Sequence, residues 1–186
     1  HHHHHHHGEE VAAGEFIRTH CGATKYPHLC VRSLSAFAGT IRTSPTQLAD
    51  AALSVSLTGA RSTAALVGRL SEGRRGMAPR VASAVGDCME TMGDSVEELR
   101  ESLGEMARLG KPKGKASQVG VVMGNVETWV SAALTDEDTC IDGFDGKAMD
   151  GEVKAALRGH IARVARLTSN ALALINALSS SITTSP

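Results

Sequence analysis

Apolar residues recur at helical spacing along most of the chain. In the clearest stripe, successive apolar residues are three or four positions apart, which places them on one face of a helix. Its members are Val81, Val85, Cys88, Met92, Val96, Leu99, Leu103 and Met106. Pro79 stands where the first helical turn tolerates proline, and Gly110 and Pro112 are stop signals. The stripe predicts one long amphipathic helix.

Three further segments predict long helices. The C-terminal stripe is regular, and that between Pro45 and Leu70 is weaker, with small residues such as Gly59 that indicate close helix contact. There Ser44 is the expected N-cap, with Gln47 completing a capping box. The remaining helix is expected from about Ala116 to Phe144, with Trp129 in the core beside Val126, Val130 and Ala133.

Short polar breakers, "SEGRRGMAP", "GKPKGK" and "DGKAMDG", separate these segments, and no strand pattern or internal repeat is visible. The predicted fold class is all-α, an antiparallel up-down-up-down four-helix bundle over residues 44–186. Residues 17–43 form a separate element before it. Residues 1–16 begin with seven histidines and are interpreted as a purification tag and vector sequence.

Charge and composition exclude several classes of protein. Without Glu9, Glu10 and Glu15 of the tag region, 17 acidic residues face 19 basic ones, a balance of about +2 that argues against broad nucleic-acid binding. No apolar run approaches the roughly 18 residues that a membrane span needs. Aromatic residues make up only 3%, so the core must consist of Ala, Leu, Val and Ile.

The chemistry of the four cysteines is open to several interpretations. Their successive spacings of 9, 58 and 52 do not match the close pairs of a zinc site, so no metal is expected. A catalytic thiol needs a base, and only His20, His28 and His160 remain outside the tag. Disulfides are favoured and imply an oxidising compartment, with four buried free thiols as the alternative. The four are Cys21, Cys30, Cys88 and Cys140.

The predicted bundle favours one pairing. Cys88 falls on the apolar stripe of the second bundle helix, and Cys140 falls on that of the third. Such positions can face each other in an antiparallel bundle, so a disulfide would join the two helices. Cys21 would then pair with Cys30 and close the N-terminal element locally.

Three stretches carry a family resemblance: "CGATKYPHLC" followed by "VRSLSAF", then "GDCMETMGDSVEEL", and "VETWVSAALTDEDTCIDGF". Together they resemble the plant pectin methylesterase inhibitor and invertase inhibitor family over nearly the whole chain after the tag. The resemblance implies a four-helix bundle with an N-terminal helical hairpin, at residues 17–43, and the same two disulfides. It also implies a secreted inhibitor in the plant cell wall, or apoplast, that is not an enzyme and has no catalytic residues and no cofactor.

The family contains two inhibitory activities. Invertase inhibitors carry a Pro-Lys-Phe tripeptide before the third long helix, where this chain has Pro112-Lys113-Gly114 and lacks the aromatic residue. The "TWVSAALTDEDTCIDGF" segment is more similar to the pectin methylesterase side. The expected function is therefore inhibition of pectin methylesterase by a 1:1 complex that occludes the pectin-binding cleft. Inhibition of cell-wall or vacuolar invertase is the alternative, as is a pro-region or folding module without free inhibitory activity.

Acidic residues follow the polar side of the second and third bundle helices. In the resembling family this part of the bundle covers the enzyme's substrate cleft. A solvated helix face is the plain alternative, since most surface carboxylates have no binding role. The enzyme-binding candidates by motif match are Glu90, Asp94, Glu97, Thr139 and Asp142.

Overall fold

The computed structural model describes residues 2–110, 116–145 and 151–184, and these ranges are helical almost throughout, with no strand among them. Short 3-10 turns at Ser35–Phe37, Arg74–Gly76 and Ala107–Gly110 follow three of the helices. The predicted all-α class is confirmed. The helices are α1 (His2–Cys21), α2 (Pro27–Leu34), α3 (Ala38–Ile41), α4 (Pro45–Glu72), α5 (Pro79–Met106), α6 (Ala116–Gly143) and α7 (Glu152–Thr184).

The four long helices pack as a ring in which each contacts its neighbours in the chain, and α7 closes the ring against α4. A 28-residue helix such as α4 is about 42 Å long. The connection from Glu72 to Pro79 reaches roughly 25 Å at most, so α5 must return antiparallel to α4. The predicted four-helix bundle is therefore confirmed.

Aliphatic side chains and methionine fill the core. Val126, Val130 and Ala133 are buried on α6, but Trp129 is only half-buried and lies outside the core. The expected core position of Trp129 is therefore wrong. The largest fully buried apolar side chains include Leu53, Met92, Leu99, Met123, Leu157, Ile161 and Ile175.

The start of α4 follows most of the prediction. The Ser44 hydroxyl accepts a hydrogen bond from the backbone N–H of Gln47 at 3.1 Å, as an N-cap should. The capping box is wrong, however, because the backbone N–H of Ser44 donates to the Ile41 carbonyl oxygen at 2.9 Å. The expected close helix contact occurs at Gly59, where an added Cβ would stand 3.3 Å from Val164 on α7.

Helices α1, α2 and α3 form a hairpin that packs against α4 and α7. Helix α1 begins at His2, before the predicted boundary at residue 17, and Ala13 is buried along with Ile17. The tag and vector origin of residues 1–16 stays a prediction.

One side chain fixes the hairpin on the bundle. Asn170 of α7 is only 3% exposed. Its amide Nδ2 donates to the Tyr26 carbonyl oxygen at 3.0 Å, and the Tyr26 N–H donates to its Oδ1 at 3.1 Å. Both backbone polar groups of Tyr26 are thereby satisfied by one residue of the bundle.

Within the described ranges, no helix is both long enough and apolar enough to cross a lipid bilayer.

Candidate functional site

Two disulfides cross-link the helices, one within the hairpin and one within the bundle. Cys88 of α5 and Cys140 of α6 are bonded with their Cα atoms 4.6 Å apart, and both are fully buried. Cys21 at the end of α1 and Cys30 in α2 form the second bond. All four thiols are therefore consumed, and none remains for catalysis or for metal binding.

The predicted enzyme-binding residues are all exposed, and they lie on α5 and α6, two helices that pack against each other. On α5, Glu90, Asp94 and Glu97 are exposed, and on α6, Thr139 and Asp142 are exposed. These five residues are called the acidic face below. The Cys88–Cys140 bond crosses between the two helices at this level. The structure thus brings the five candidates onto two adjacent, covalently joined helices, and their contact with an enzyme stays a prediction.

Some groups of the acidic face have local partners. Glu97 forms an ion pair with Arg100 one turn along α5, and both side chains are more than half exposed. The Thr139 hydroxyl donates to the Thr135 carbonyl oxygen of its own helix at 2.8 Å. An exposed ion pair of this kind contributes roughly 0–1 kcal/mol, so it leaves Glu97 available to another cation.

Beneath the acidic face, carboxyl groups of the two helices approach each other. Burial, together with the hydrogen bond to Asp136 and the negative charges of Asp136, Asp94 and Glu137, raises the pKa of Glu98 to about 8. Glu98 Oε1 is buried without a hydrogen-bonding partner in the part of the chain that the structure describes. Below about pH 8, protonated Glu98 can therefore share its proton with Asp136 across the helix pair.

A second carboxyl, Glu137, lies at the centre of the bundle and is fully buried. The Ser95 hydroxyl of α5 donates to Glu137 Oε2 at 2.5 Å. Burial raises the pKa of Glu137 to about 8, although the Ser95 hydroxyl and the nearby Thr168 hydroxyl of α7 favour the ionised form. Glu137 Oε1 and Thr168 lie close but outside hydrogen-bonding geometry.

Sequence reasoning did not identify Glu137, although a signal was present. It stands four residues after Ala133 and three before Cys140, which are both buried positions of the α6 stripe. A carboxylate at helical spacing inside an apolar stripe indicates either a break in the buried face or a buried acid.

The family profile of the plant invertase/pectin methylesterase inhibitors matches residues 15–174. The chain belongs to this family. Its inhibitor relatives include Pectinesterase inhibitor 11 of Arabidopsis thaliana, 48% identical over 163 residues, which cover 87% of this chain and 79% of the relative. The "21 kDa protein" of Daucus carota is also 48% identical, over 88% of this chain and 83% of its own.

Solved structures of family members share the fold. A mutant form of a pectin methylesterase inhibitor from Arabidopsis superposes with a TM-score of 0.66 at 21% identity, covering 84% of this chain and 92% of that one. Another pectin methylesterase inhibitor, from Arabidopsis thaliana, gives 0.60 at 22% identity over 87% and 95% of the two chains.

Pro112-Lys113-Gly114, which stands where invertase inhibitors carry their tripeptide, lies outside the described residues. The family includes inhibitors of both enzymes. At this position the sequence differs from the invertase inhibitors, because Gly114 stands where they have phenylalanine.

Proposed function

We propose that this protein is a secreted inhibitor of pectin methylesterase and acts by binding the enzyme, without chemistry of its own. One observation carries the proposal: Pectinesterase inhibitors 11, 9 and 3 of Arabidopsis thaliana are 48, 45 and 42% identical to it. The matches cover 79, 79 and 82% of those relatives, so they include most of each inhibitor.

The acidic face is the proposed contact surface, and the proposed stoichiometry is 1:1. Its members project from two helices that the Cys88–Cys140 bond holds together, so little conformational freedom would be lost on binding. A surface of ordinary size, burying roughly 1,600 Å² in total, would be sufficient to cover a substrate cleft.

Extracellular action in the cell wall is part of the proposal. Both cysteine pairs are oxidised, and such bonds persist in oxidising compartments, whereas cytosolic thiols are kept reduced.

Titration of the purified protein into separate pectin methylesterase and invertase assays tests the function. We expect pectin methylesterase activity to fall linearly and to reach its minimum at one inhibitor per enzyme, with invertase unaffected. Inhibition of invertase alone would contradict the proposal and favour the other family activity. If neither enzyme is inhibited, the pro-region or folding-module alternative is favoured.

A charge reversal tests the contact surface. Replacing Asp94 and Glu97 together with lysine should weaken inhibition by roughly tenfold or more, because it places like charges against cationic groups of the enzyme or removes contacts to them. Glu72→Lys with Glu127→Lys is the matched control, since it changes the charge equally outside the acidic face. The inhibition constant is measured for each variant, with circular dichroism to verify helicity. Unchanged inhibition by the Asp94/Glu97 variant would mean that the enzyme binds elsewhere.

A further inference from the structure

A groove rich in positive charge lies between the hairpin and α7. It has a volume of about 460 Å³, and no carboxylate is among its lining residues. Its four lysine and arginine residues are all exposed, and none makes a described ion pair within residues 2–110, 116–145 and 151–184. In a chain whose charges nearly balance, this is a local excess of cations. The four are Lys25, Arg32, Arg163 and Arg166.

The aromatic ring of Tyr26 lies close to two of these cations. The Lys25 Nζ atom lies 5.7 Å from the ring centroid, and the Arg166 Cζ atom lies 5.5 Å from it. The backbone of Tyr26 is held on both sides by Asn170. A fixed, half-buried ring beside cations can stack on the apolar face of a sugar while the cations bind its acidic substituents.

A second cavity adjoins the first at Arg163, which lines both. It has a volume of about 480 Å³ and runs between α4 and α7, with hydroxyl groups that include Thr58 and Ser62. Phe37 also lines it and is 39% exposed, unusual for so large an apolar side chain. Hydroxyls beside an aromatic ring suit a hydroxyl-rich ligand, and each cavity has the size of a small-molecule site.

The second cavity lies on the α4–α7 side of the bundle, whereas the Lys25 end of the first lies near α6. In the ring of helices, α4 and α7 are neighbours, and α5 and α6 form the opposite pair. Asp138 of α6 lies within electrostatic range of Lys25, so Lys25 is partly compensated. Arg163 and Arg166 are not members of the acidic face, so their replacement tests the groove separately.

We propose that this groove binds an acidic oligosaccharide, a sugar chain with carboxylates spaced along its length. The cations would bind the carboxylates, the aromatic rings would pack on the sugar faces, and the hydroxyl groups would form hydrogen bonds with the sugar hydroxyls. The identification of this sugar chain as de-esterified pectin rests on the proposed function. A pectin methylesterase adds water to a methyl ester and releases methanol, which leaves a carboxylate on the polymer. An inhibitor with this groove would be retained on pectin that the enzyme has already de-esterified.

Isothermal titration calorimetry with an oligogalacturonate about six sugars long tests the inference. The same oligomer with every carboxyl methyl-esterified is the uncharged comparison. We expect the acidic oligomer to bind and the ester not to bind. Affinity should fall at least about tenfold from 50 to 300 mM salt, because exposed charge contacts are screened. Equal binding of the two oligomers, or none, would overturn the proposal.

Paired variants locate the site. Arg163→Gln with Arg166→Gln should weaken binding of the acidic oligomer about tenfold or more, since two charge-assisted contacts are lost. Arg69→Gln with Arg80→Gln makes the same change in net charge at exposed positions outside both cavities and should leave binding unchanged. Equal loss in both variants, or equally tight binding of a DNA oligonucleotide of matched charge, would show general attraction to polyanions and overturn the proposal.

The same proteins separate this inference from the proposed function. Both arginine variants should inhibit pectin methylesterase as well as the unchanged protein does. Full inhibition without any binding of oligogalacturonate would overturn the proposed ligand of the groove and leave the proposed function standing. Specific binding of oligogalacturonate by a protein that inhibits no pectin methylesterase would support the groove's ligand class and overturn the proposed function.

Discussion

Replacing Glu137 by glutamine should make the bundle much less sensitive to pH. Glutamine has nearly the same shape, can still pair with the Ser95 hydroxyl, and cannot ionise. In the unchanged protein, the folded state keeps the Glu137 proton up to about pH 8, whereas an unfolded chain releases it near 4.5. The resulting stabilisation is complete below about pH 4.5 and is lost as the pH rises through about 8.

The size of the effect follows from that interval. A pKa difference between 4.5 and about 8 corresponds to at most about 5 kcal/mol of unfolding free energy. The groups around the carboxyl are the Ser95 and Thr168 hydroxyls and the acids Asp136, Asp138 and Glu98, and no cation is among those that shift its pKa. The unfolding free energy of the glutamine variant, minus that of the unchanged protein, should therefore be about 2–3 kcal/mol larger at pH 6.5 than at pH 4.5.

Guanidinium unfolding followed by circular dichroism, at pH values from about 5 to 8.5, measures this difference. Glu101→Gln removes an exposed carboxylate on α5 and is the matched control; its stability should run parallel to that of the unchanged protein. Glu98 and Asp138 also have raised pKa values, so some loss of stability with pH remains in every variant. Parallel curves for Glu137→Gln and the unchanged protein would refute the reasoning.

Three other outcomes are expected. Replacing Cys88 and Cys140 by serine should lower the unfolding free energy by about 4 kcal/mol, and replacing Cys21 and Cys30 by about 2.7 kcal/mol, because the first bond closes the longer loop; denaturant unfolding that ranks them the other way would contradict this. Asn170→Ala should cost about 1–3 kcal/mol through two lost hydrogen bonds and, by releasing the backbone of Tyr26, speed tryptic cleavage after Lys25, with Asn170→Asp intermediate because it keeps the acceptor; equal trypsin cleavage of all three proteins would show that the hairpin is held by other contacts. If the acidic face meets enzyme carboxylates, contrary to the cationic partners assumed for the charge reversal, the dissociation constant of the complex should tighten between pH 8 and 5 at fixed ionic strength, by at most about tenfold for one pKa raised by one unit; a flat profile would indicate basic partners.

The helices of the bundle could be predicted because their signals are local. Each apolar stripe repeats every three or four residues, and Pro45 and Pro79 stand in the first turns of α4 and α5. Short connections then force neighbouring helices to run antiparallel. The pairing of Cys88 with Cys140 was also accessible, because both residues lie on stripes that face the same core.

The remaining features depend on contacts that no local pattern contains. The hydrogen bonds between Tyr26 and Asn170 join residues 144 positions apart. Arg32 and Arg166 come together only because the hairpin packs on α7. The stripe of α6 shows that Glu137 is unusual, but only the packed structure shows that the helix buries the acid, with the Ser95 hydroxyl as its partner.

The scarcity of aromatic residues has a practical consequence for spectroscopy. The chain has one tryptophan and one tyrosine. Trp129 is half-buried on a helix of the bundle, while Tyr26 lies where the hairpin meets α7. Selective excitation of the indole should therefore follow loosening of the bundle around α6, and emission of the phenol should follow release of the hairpin. The bundle and the hairpin contact each carry their own natural fluorophore, so the unfolding of each can be followed separately without an added label.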